Sequence, residues 1–386
     1  MDETTAVKRL GGGNSLHSSP PSTYIPLDII QETILCRLPV KSLQRFRWVC
    51  NSWDSLVSKD LKFAKRHLHV SPKRQHLVTT TWRKAEELTV MSCPFDSLNL
   101  HSNFDSKSTQ LDYSPIISTY HDGPVACCDG ILCFAIDERL AVLYNPCIRK
   151  LHKLPCIDLP QVEDSTTHYA FGYDPFIDNY KVVAVFNSYE TQVEVHSYNL
   201  CTDSWKRIKD FPSGFYLNSD GTKHGTFMRD TVNWLTHSES TNSDAIVSLH
   251  LGKETYQEIS LPDLRVPSFN MLSLYVMRDC LCLFNITKER RSDSFTDVWL
   301  MKEYGNKESW IKLFCIPSFG EHTFNTDIVY ISEDDNHVLL VFRDNRKSKW
   351  VVYDFINDTI TIKNSKSQDN LGKVKSKIYV ESLITP

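Results

Sequence analysis

The chain has 386 residues, of which 41% are hydrophobic and 23% charged, with a formal net charge of −4. That length suggests two or three domains, although a large β fold can take most of it as one, and the charge balance gives no reason to expect nucleic acid or an acidic membrane surface as a partner. No apolar run reaches the roughly 18 residues of a transmembrane helix, so the expected setting is cytoplasmic or nuclear, with the 12 cysteines reduced.

Residues 1–24 contain Gly11-Gly12-Gly13 and Ser18-Ser19-Pro20-Pro21 and read as a disordered leader, not a signal peptide. Residues 25–69 have a helical period. Leu27, Ile30, Ile34 and Leu38 recur at threes and fours and would stripe one helix face. Pro26 suits the start of that helix, Asp28 suits the positive end of its dipole, and Leu38-Pro39 stops it. Ser42 is the expected N-cap of a second helix carrying Leu43, Phe46, Val49, Cys50 and Trp53. A third short helix is expected through Leu56, Val57, Leu61 and Phe63. Three short helices in about forty residues bury too little surface to stand alone, so another protein is expected to complete part of their apolar surface. Lys41, Arg45, Arg47, Lys59, Lys62, Lys65 and Arg66 make this region locally basic, either as a solvated face or as an attraction for an acidic partner.

Pro26, Asp28-Ile29-Ile30 and Glu32, followed by Arg37-Leu38-Pro39-Val40-Lys41-Ser42-Leu43, Arg45-Phe46-Arg47, Val49-Cys50 and Ser52-Trp53, resemble the F-box of plant F-box proteins. The resemblance implies a three-helix F-box that docks on the Skp adaptor and, through it, on the cullin and RING subunits of a ubiquitin ligase. It places the adaptor contacts on Pro26, Ile29, Ile30, Leu38, Pro39, Val40, Leu43, Phe46 and Trp53, while Phe46 and Trp53 have the alternative role of holding the helices together. Between Glu32 and Arg37 the chain carries one residue more than the family pattern, with Thr33 the obvious extra. One insertion rotates later helix positions by about 100°, so a bulge or an early helix end must absorb it.

From about Arg66 onward short alternating runs replace the helical period, beginning with His76–Trp82 and Leu88–Met91, as in an all-β sandwich, barrel or propeller. A repeat selects among these. Tyr144, Tyr198, Leu249, Met301 and Tyr353 anchor five copies of one unit. Leu151, Trp205, Tyr256 and Ile360 follow seven residues after their anchors, and Trp310 follows nine after its own. Each copy reads as a hairpin with a polar turn. Upstream of the anchors lie the apolar runs 130–134, 181–185, 232–235, 280–284 and 338–342, which suit strands enclosed on both faces. A period near fifty fits a kelch-like blade. A degenerate first blade in 70–120, closed by Ile378–Leu383, brings the count to six, with seven as the alternative. The expected architecture is therefore mixed and multidomain: a small all-α F-box followed by an all-β propeller over residues 70–386. Leu143-Tyr144-Asn145-Pro146, Phe171-Gly172-Tyr173-Asp174-Pro175, Ser204-Trp205-Lys206-Arg207-Ile208 and Tyr379-Val380-Glu381-Ser382-Leu383 resemble the F-box-associated, or kelch-type, module of the same proteins, although the kelch double glycine is absent.

Cys127-Cys128 and Cys280-Leu281-Cys282 are too close for metal-knuckle spacing, and no phosphate loop, dinucleotide fingerprint, zincin helix or nucleophile elbow occurs. No cofactor and no catalysis by this chain are expected. His196 and His250 read as structural histidines, and Asn145-Pro146 and Asp174-Pro175 as turn punctuation. Among loop aromatics, Phe215, Tyr216, Phe269, Phe319 and Phe324 are candidates for recognising a partner, while the substrate-binding residues stay unassigned. The function implied is a non-catalytic substrate receptor of a Skp–cullin–F-box ligase; the alternatives are a scaffold or self-recognition protein outside a ligase, and a propeller enzyme such as a glycosidase or oxidase.

Overall fold

A computed structural model describes residues 26–82, 88–95, 109–111, 124–159, 165–187, 193–217, 224–264, 270–287, 295–317, 326–344, 347–363 and 374–386. The helical region opens with α1 (Leu27–Ile29), which continues as a π turn over Ile30–Ile34 and a 3₁₀ turn over Leu35–Arg37. The Leu35 N–H meets the carbonyls of both Gln31 and Ile30, four and five residues back. Such a turn takes up one surplus residue inside a helix, and Thr33 lies within it. Leu38 is extended, at φ −75° and ψ 152°, ahead of Pro39 and ends the segment.

Two expectations for the following helices need correction. α2 (Val40–Phe46) starts after Pro39, with the Ser42 N–H donating to the Pro39 carbonyl, so Ser42 sits inside the first turn and is not its cap. Pro39 already fixes the chain entering the helix and has no N–H to leave unpaired. The expected single helix through Trp53 is also broken: Cys50 is extended, at φ −160° and ψ 160°, and α3 (Asn51–Lys59) begins anew. α4 (Leu61–Val70) follows, capped by Asp60, whose Oδ1 accepts from the Phe63 N–H at 2.9 Å. The region is thus an irregular first segment and three further short helices, not three helices in all.

Six antiparallel sheets follow. Blade one holds β1 (Gln75–Trp82), β2 (Leu88–Pro94) and β3 (Thr109–Gln110), and its innermost strand is the last of the chain, β25 (Val374–Val380). Blade two is β4 (Ala126–Cys128), β5 (Ile131–Ala135), β6 (Ala141–Asn145) and β7 (Lys150–Lys153). Blade three is β8 (Thr166–Asp174), β9 (Asn179–Asn187), β10 (Glu194–Asn199) and β11 (Ser204–Arg207). In blade four the inner position is shared by β12 (Phe215–Leu217) and β13 (Thr226–Met228), outside which lie β14 (Thr231–Ser238), β15 (Ser243–His250) and β16 (Thr255–Ser260). Blade five is β17 (Asn270–Met277), β18 (Cys280–Thr287), β19 (Phe295–Met301) and β20 (Trp310–Pro317). Blade six is β21 (Thr326–Ile331), β22 (His337–Asp344), β23 (Lys347–Asp354) and β24 (Thr359–Lys363). The closing strand lies four residues earlier than the expected Ile378–Leu383 start, and Glu381–Leu383 continue beyond it.

The repeat spacing has a direct structural cause. Each anchor on a third strand faces its outer-strand counterpart: Tyr144 opposite Leu151, Tyr198 opposite Trp205, Leu249 opposite Tyr256, Met301 opposite Trp310 and Tyr353 opposite Ile360. In the seven-residue copies the residue five past the anchor is left-handed: Arg149, Asp203, Glu254 and Asp358. The residue one past the anchor braces the turn, as when Asn145, Asn199 and Asp354 each accept a turn N–H at 2.8–2.9 Å. The outer-strand aromatics then lock blades three, four and five each to the one before. The Trp205 indole donates to the Pro155 carbonyl at 2.7 Å, the Tyr256 hydroxyl to Lys209 at 2.9 Å and the Trp310 indole to Ser260 at 3.0 Å.

Candidate docking face of the helical region

The helices pack on the end of the propeller that carries the tight turns. One continuous core joins Leu35, Cys36, Val40, Leu43, Val57, Phe63 and Leu68 to Val125, Ile131, Leu143, Leu383 and Ile384. At its rim the Val40 N–H donates to Glu381 Oε2 at 3.2 Å, and His76 Nε2 lies 3.1 Å from Glu381 Oε1. Burial pushes the Glu381 carboxyl up, but the His76 and Val40 hydrogen bonds and the charges of His76 and Arg74 hold it below the ordinary glutamate range. On α4, Lys65 Nζ lies 2.5 Å from Asp178 Oδ1 in the β8–β9 turn, and His67 Nε2 lies 2.8 Å from the Leu38 carbonyl.

This packing divides the residues expected to meet a partner. Pro26 is exposed, Ile29 is 49% exposed, and Ile30, Leu38 and Pro39 are half-buried. Phe46 and Trp53 are half-buried against each other, ring centroids 5.6 Å apart, and both rest on the shared core. Val40 and Leu43, at 1% and 0% exposure, are enclosed by this chain's own atoms. In this chain they pack internally.

Trp48, 91% exposed, and Val49, 63% exposed, were not singled out for contact, and Ile34 is 44% exposed. Trp48 and Val49 occupy the turn between α2 and α3, which Arg47 braces through Asp54 Oδ1 at 2.7 Å and Gln44 Oε1 at 2.9 Å. Asn51-Ser52 before Trp53-Asp54 is a helix-start signal that could have exposed this break. Of the basic residues, Arg47, Lys65 and Arg66 are engaged with Asp54, Asp178 and Glu32, while Lys41, Arg45, Lys59 and Lys62 are exposed.

The opposite end of the propeller is where second strands hand over to third strands and each blade to the next. Phe215 on β12 is half-buried there, and Tyr216 is exposed with its hydroxyl donating to Glu239. Phe269, Phe319 and Phe324 lie outside the described residues. Among the described residues no group of three or more His, Cys, Asp or Glu side chains is placed to hold a metal ion, and no helix is long and apolar enough to cross a membrane.

Residues 80–386 match the F-box associated beta propeller domain family. An F-box/kelch-repeat protein of Arabidopsis thaliana is 31% identical over 377 residues, covering 94% of this chain and 96% of that one. The Arabidopsis thaliana F-box protein CPR1 is 28% identical, covering 84% of this chain and 81% of its own. Among solved structures, TolB from Acinetobacter baumannii aligns with a TM-score of 0.46 at 12% identity, over 82% of this chain and 70% of that one.

Proposed function

The chain belongs to the F-box proteins that carry an F-box associated beta propeller domain, and from that premise we propose that it is the substrate-recognition subunit of a Skp–cullin–F-box ubiquitin ligase. The helical region binds the Skp adaptor, the far end of the propeller binds a target protein, and the RING subunit with its conjugating enzyme carries out ubiquitin transfer. This chain adds position only: holding the target beside the transfer machinery raises its effective concentration. The supporting observation is the set of apolar side chains left exposed on the helical region, Ile29, Ile34, Trp48 and Val49, beside the exposed cations Lys41 and Arg45. Large apolar residues held in solvent by a braced turn are what an obligate partner covers.

Co-expression with a plant Skp adaptor followed by size-exclusion chromatography tests the reading. A stable one-to-one complex is expected, and Ile29→Ala with Trp48→Ala should weaken it about tenfold or more, as loss of well-buried anchors does. Both side chains are already exposed, so the variant keeps its fold. A folded chain that elutes alone would give the lead to a scaffold role outside a ligase. Unchanged affinity of the variant would reject these two contacts.

A further inference from the structure

The turn between β8 and β9, residues 175–178, stands at the helical end of blade three and holds two large apolar side chains in solvent. Phe176 is 64% exposed and Ile177 39%. Both ends of the turn are tied down. Asp174, fully buried, accepts from the Phe176 N–H at 2.9 Å through Oδ1, and its Oδ2 lies 2.8 Å from Lys181 Nζ. The same ammonium donates to the Leu251 carbonyl of blade four at 2.9 Å. Asp178 accepts from the Tyr173 hydroxyl and pairs with Lys65 of α4, which also donates to the Asp178 carbonyl at 2.9 Å. One face of the Phe176 ring lies over Gly252, where a Cβ would strike it, with the His250 ring 5.5 Å away. That contact explains one side of the ring and leaves the rest of it, and Ile177, uncovered.

The start of α4 joins this turn to the first helical segment. Leu61, 55% exposed, sits one turn before Lys65 on the same helix face, and exposed Lys62 sits likewise before Arg66. Arg66 Nη2 reaches Glu32 Oε2 at 3.4 Å, between Ile29 and Ile34. Exposed apolar side chains therefore run from Ile29 and Ile34 past Leu61 to Ile177 and Phe176. The two ends are separated by two ion pairs and one helix width of about 10–12 Å, a span that fits within the roughly 800 Å² each partner gives to an ordinary interface.

We propose that the β8–β9 turn is a second contact for the Skp adaptor, which thus grips the helices and the propeller together; this rests on the reading of the helical region as its docking face. Continuity favours this occupant, since a partner seated on Ile29 and Ile34 meets Leu61 and then the turn without crossing a gap. Charge favours it as well. Residues 25–69 hold eight Lys and Arg against four Asp and Glu, although the whole chain has a net charge of −4. Asp178 and Glu32 are matched by Lys65 and Arg66, so the strip past Lys62 keeps the positive character of the surface around Lys41 and Arg45. One acidic partner suits both.

The full-length chain is titrated with a purified plant Skp adaptor by calorimetry. Ile177→Glu and Phe176→Ala are each expected to weaken binding at least about fivefold. Ile177→Glu, at an exposed position, decides the matter if Phe176→Ala loosens the turn on Gly252. In the wild type, hydrogen exchange over residues 174–180 should slow at least about threefold when the adaptor is added. If the wild type binds, an affinity within about twofold in Ile177→Glu, or unchanged exchange over 174–180, overturns the second contact and leaves the helical docking face standing. A wild type that does not bind the adaptor overturns both. Light scattering that shows a dimer, dissolved by Ile177→Glu at unchanged adaptor affinity, assigns the turn to a second copy and rejects the proposal.

Discussion

Asn145 ties blade two to the C-terminal tail. It is fully buried, and its Nδ2 donates to the Ser382 carbonyl at 3.1 Å and the Ile384 carbonyl at 2.8 Å, while Oδ1 accepts from the Cys147 N–H at 2.9 Å. The two donated bonds need an amide, while the accepted one a carboxylate could also make. Asn145→Asp keeps the shape but sets a carboxylate against two carbonyl oxygens, leaving buried acceptors without a donor, which should cost about 3 kcal/mol or more at neutral pH. Denaturant unfolding of the purified variant measures this; a loss below about 1 kcal/mol would show that the tail holds without the amide. Only half of this role was legible in the sequence. Asn145-Pro146 marks a turn, and Oδ1 does brace one, but the Nδ2 partners lie more than 230 residues away and no local pattern encodes them.

At the scale of elements, legibility followed the strength of the local rule. The blade hairpins were readable because the spacing from Tyr144 to Leu151 and from Tyr198 to Trp205 is fixed by a four-residue turn, and any such turn puts the two residues opposite each other. The helical region was less readable, because a stripe at threes and fours runs unbroken from Leu43 to Trp53 although Cys50 leaves the helix. What sets those helices is tertiary. His67 on α4 is 1% exposed, its Nε2–H donates to the Leu38 carbonyl at 2.8 Å, and its Nδ1 is buried with no partner. Burial holds the imidazole below its ordinary range, so the unfolded chain binds this proton more readily than the folded one. Stability from His67 is therefore complete above the free imidazole value of about 6.5 and falls away as pH drops below it. Hydrogen exchange, corrected for intrinsic rate, should show residues 35–46 and α4 losing protection between pH 7.5 and 5.5, with a flatter response in His67→Gln. Equal protection at both pH values in the wild type would show that this imidazole does not govern the packing.

At the scale of the molecule, the helices and the propeller are not two bodies on a tether. Val40 and Leu43 lie in the same core as Leu383 and Ile384, which Asn145 holds to blade two, and Glu381 joins the N-terminus of α2 to the closing strand. A cut between helices and propeller would expose Val125, Leu383 and Ile384 on one side and Leu35, Leu43 and Phe63 on the other, so the energetics favour one cooperative unit. Leu43→Ala tests this, because truncating a fully buried leucine typically costs about 2–5 kcal/mol and the consequence depends on who shares the loss. Helical circular dichroism and the fluorescence of Trp234, buried in β14 of blade four, should move to lower temperature together and stay coincident. Loss of the helical signal at a temperature where Trp234 is unmoved would mean that the helices melt on their own. Coincidence would mean that a partner gripping Trp48 and Ile29 also fixes where the far end of the propeller points, which is the geometry that delivery by position requires.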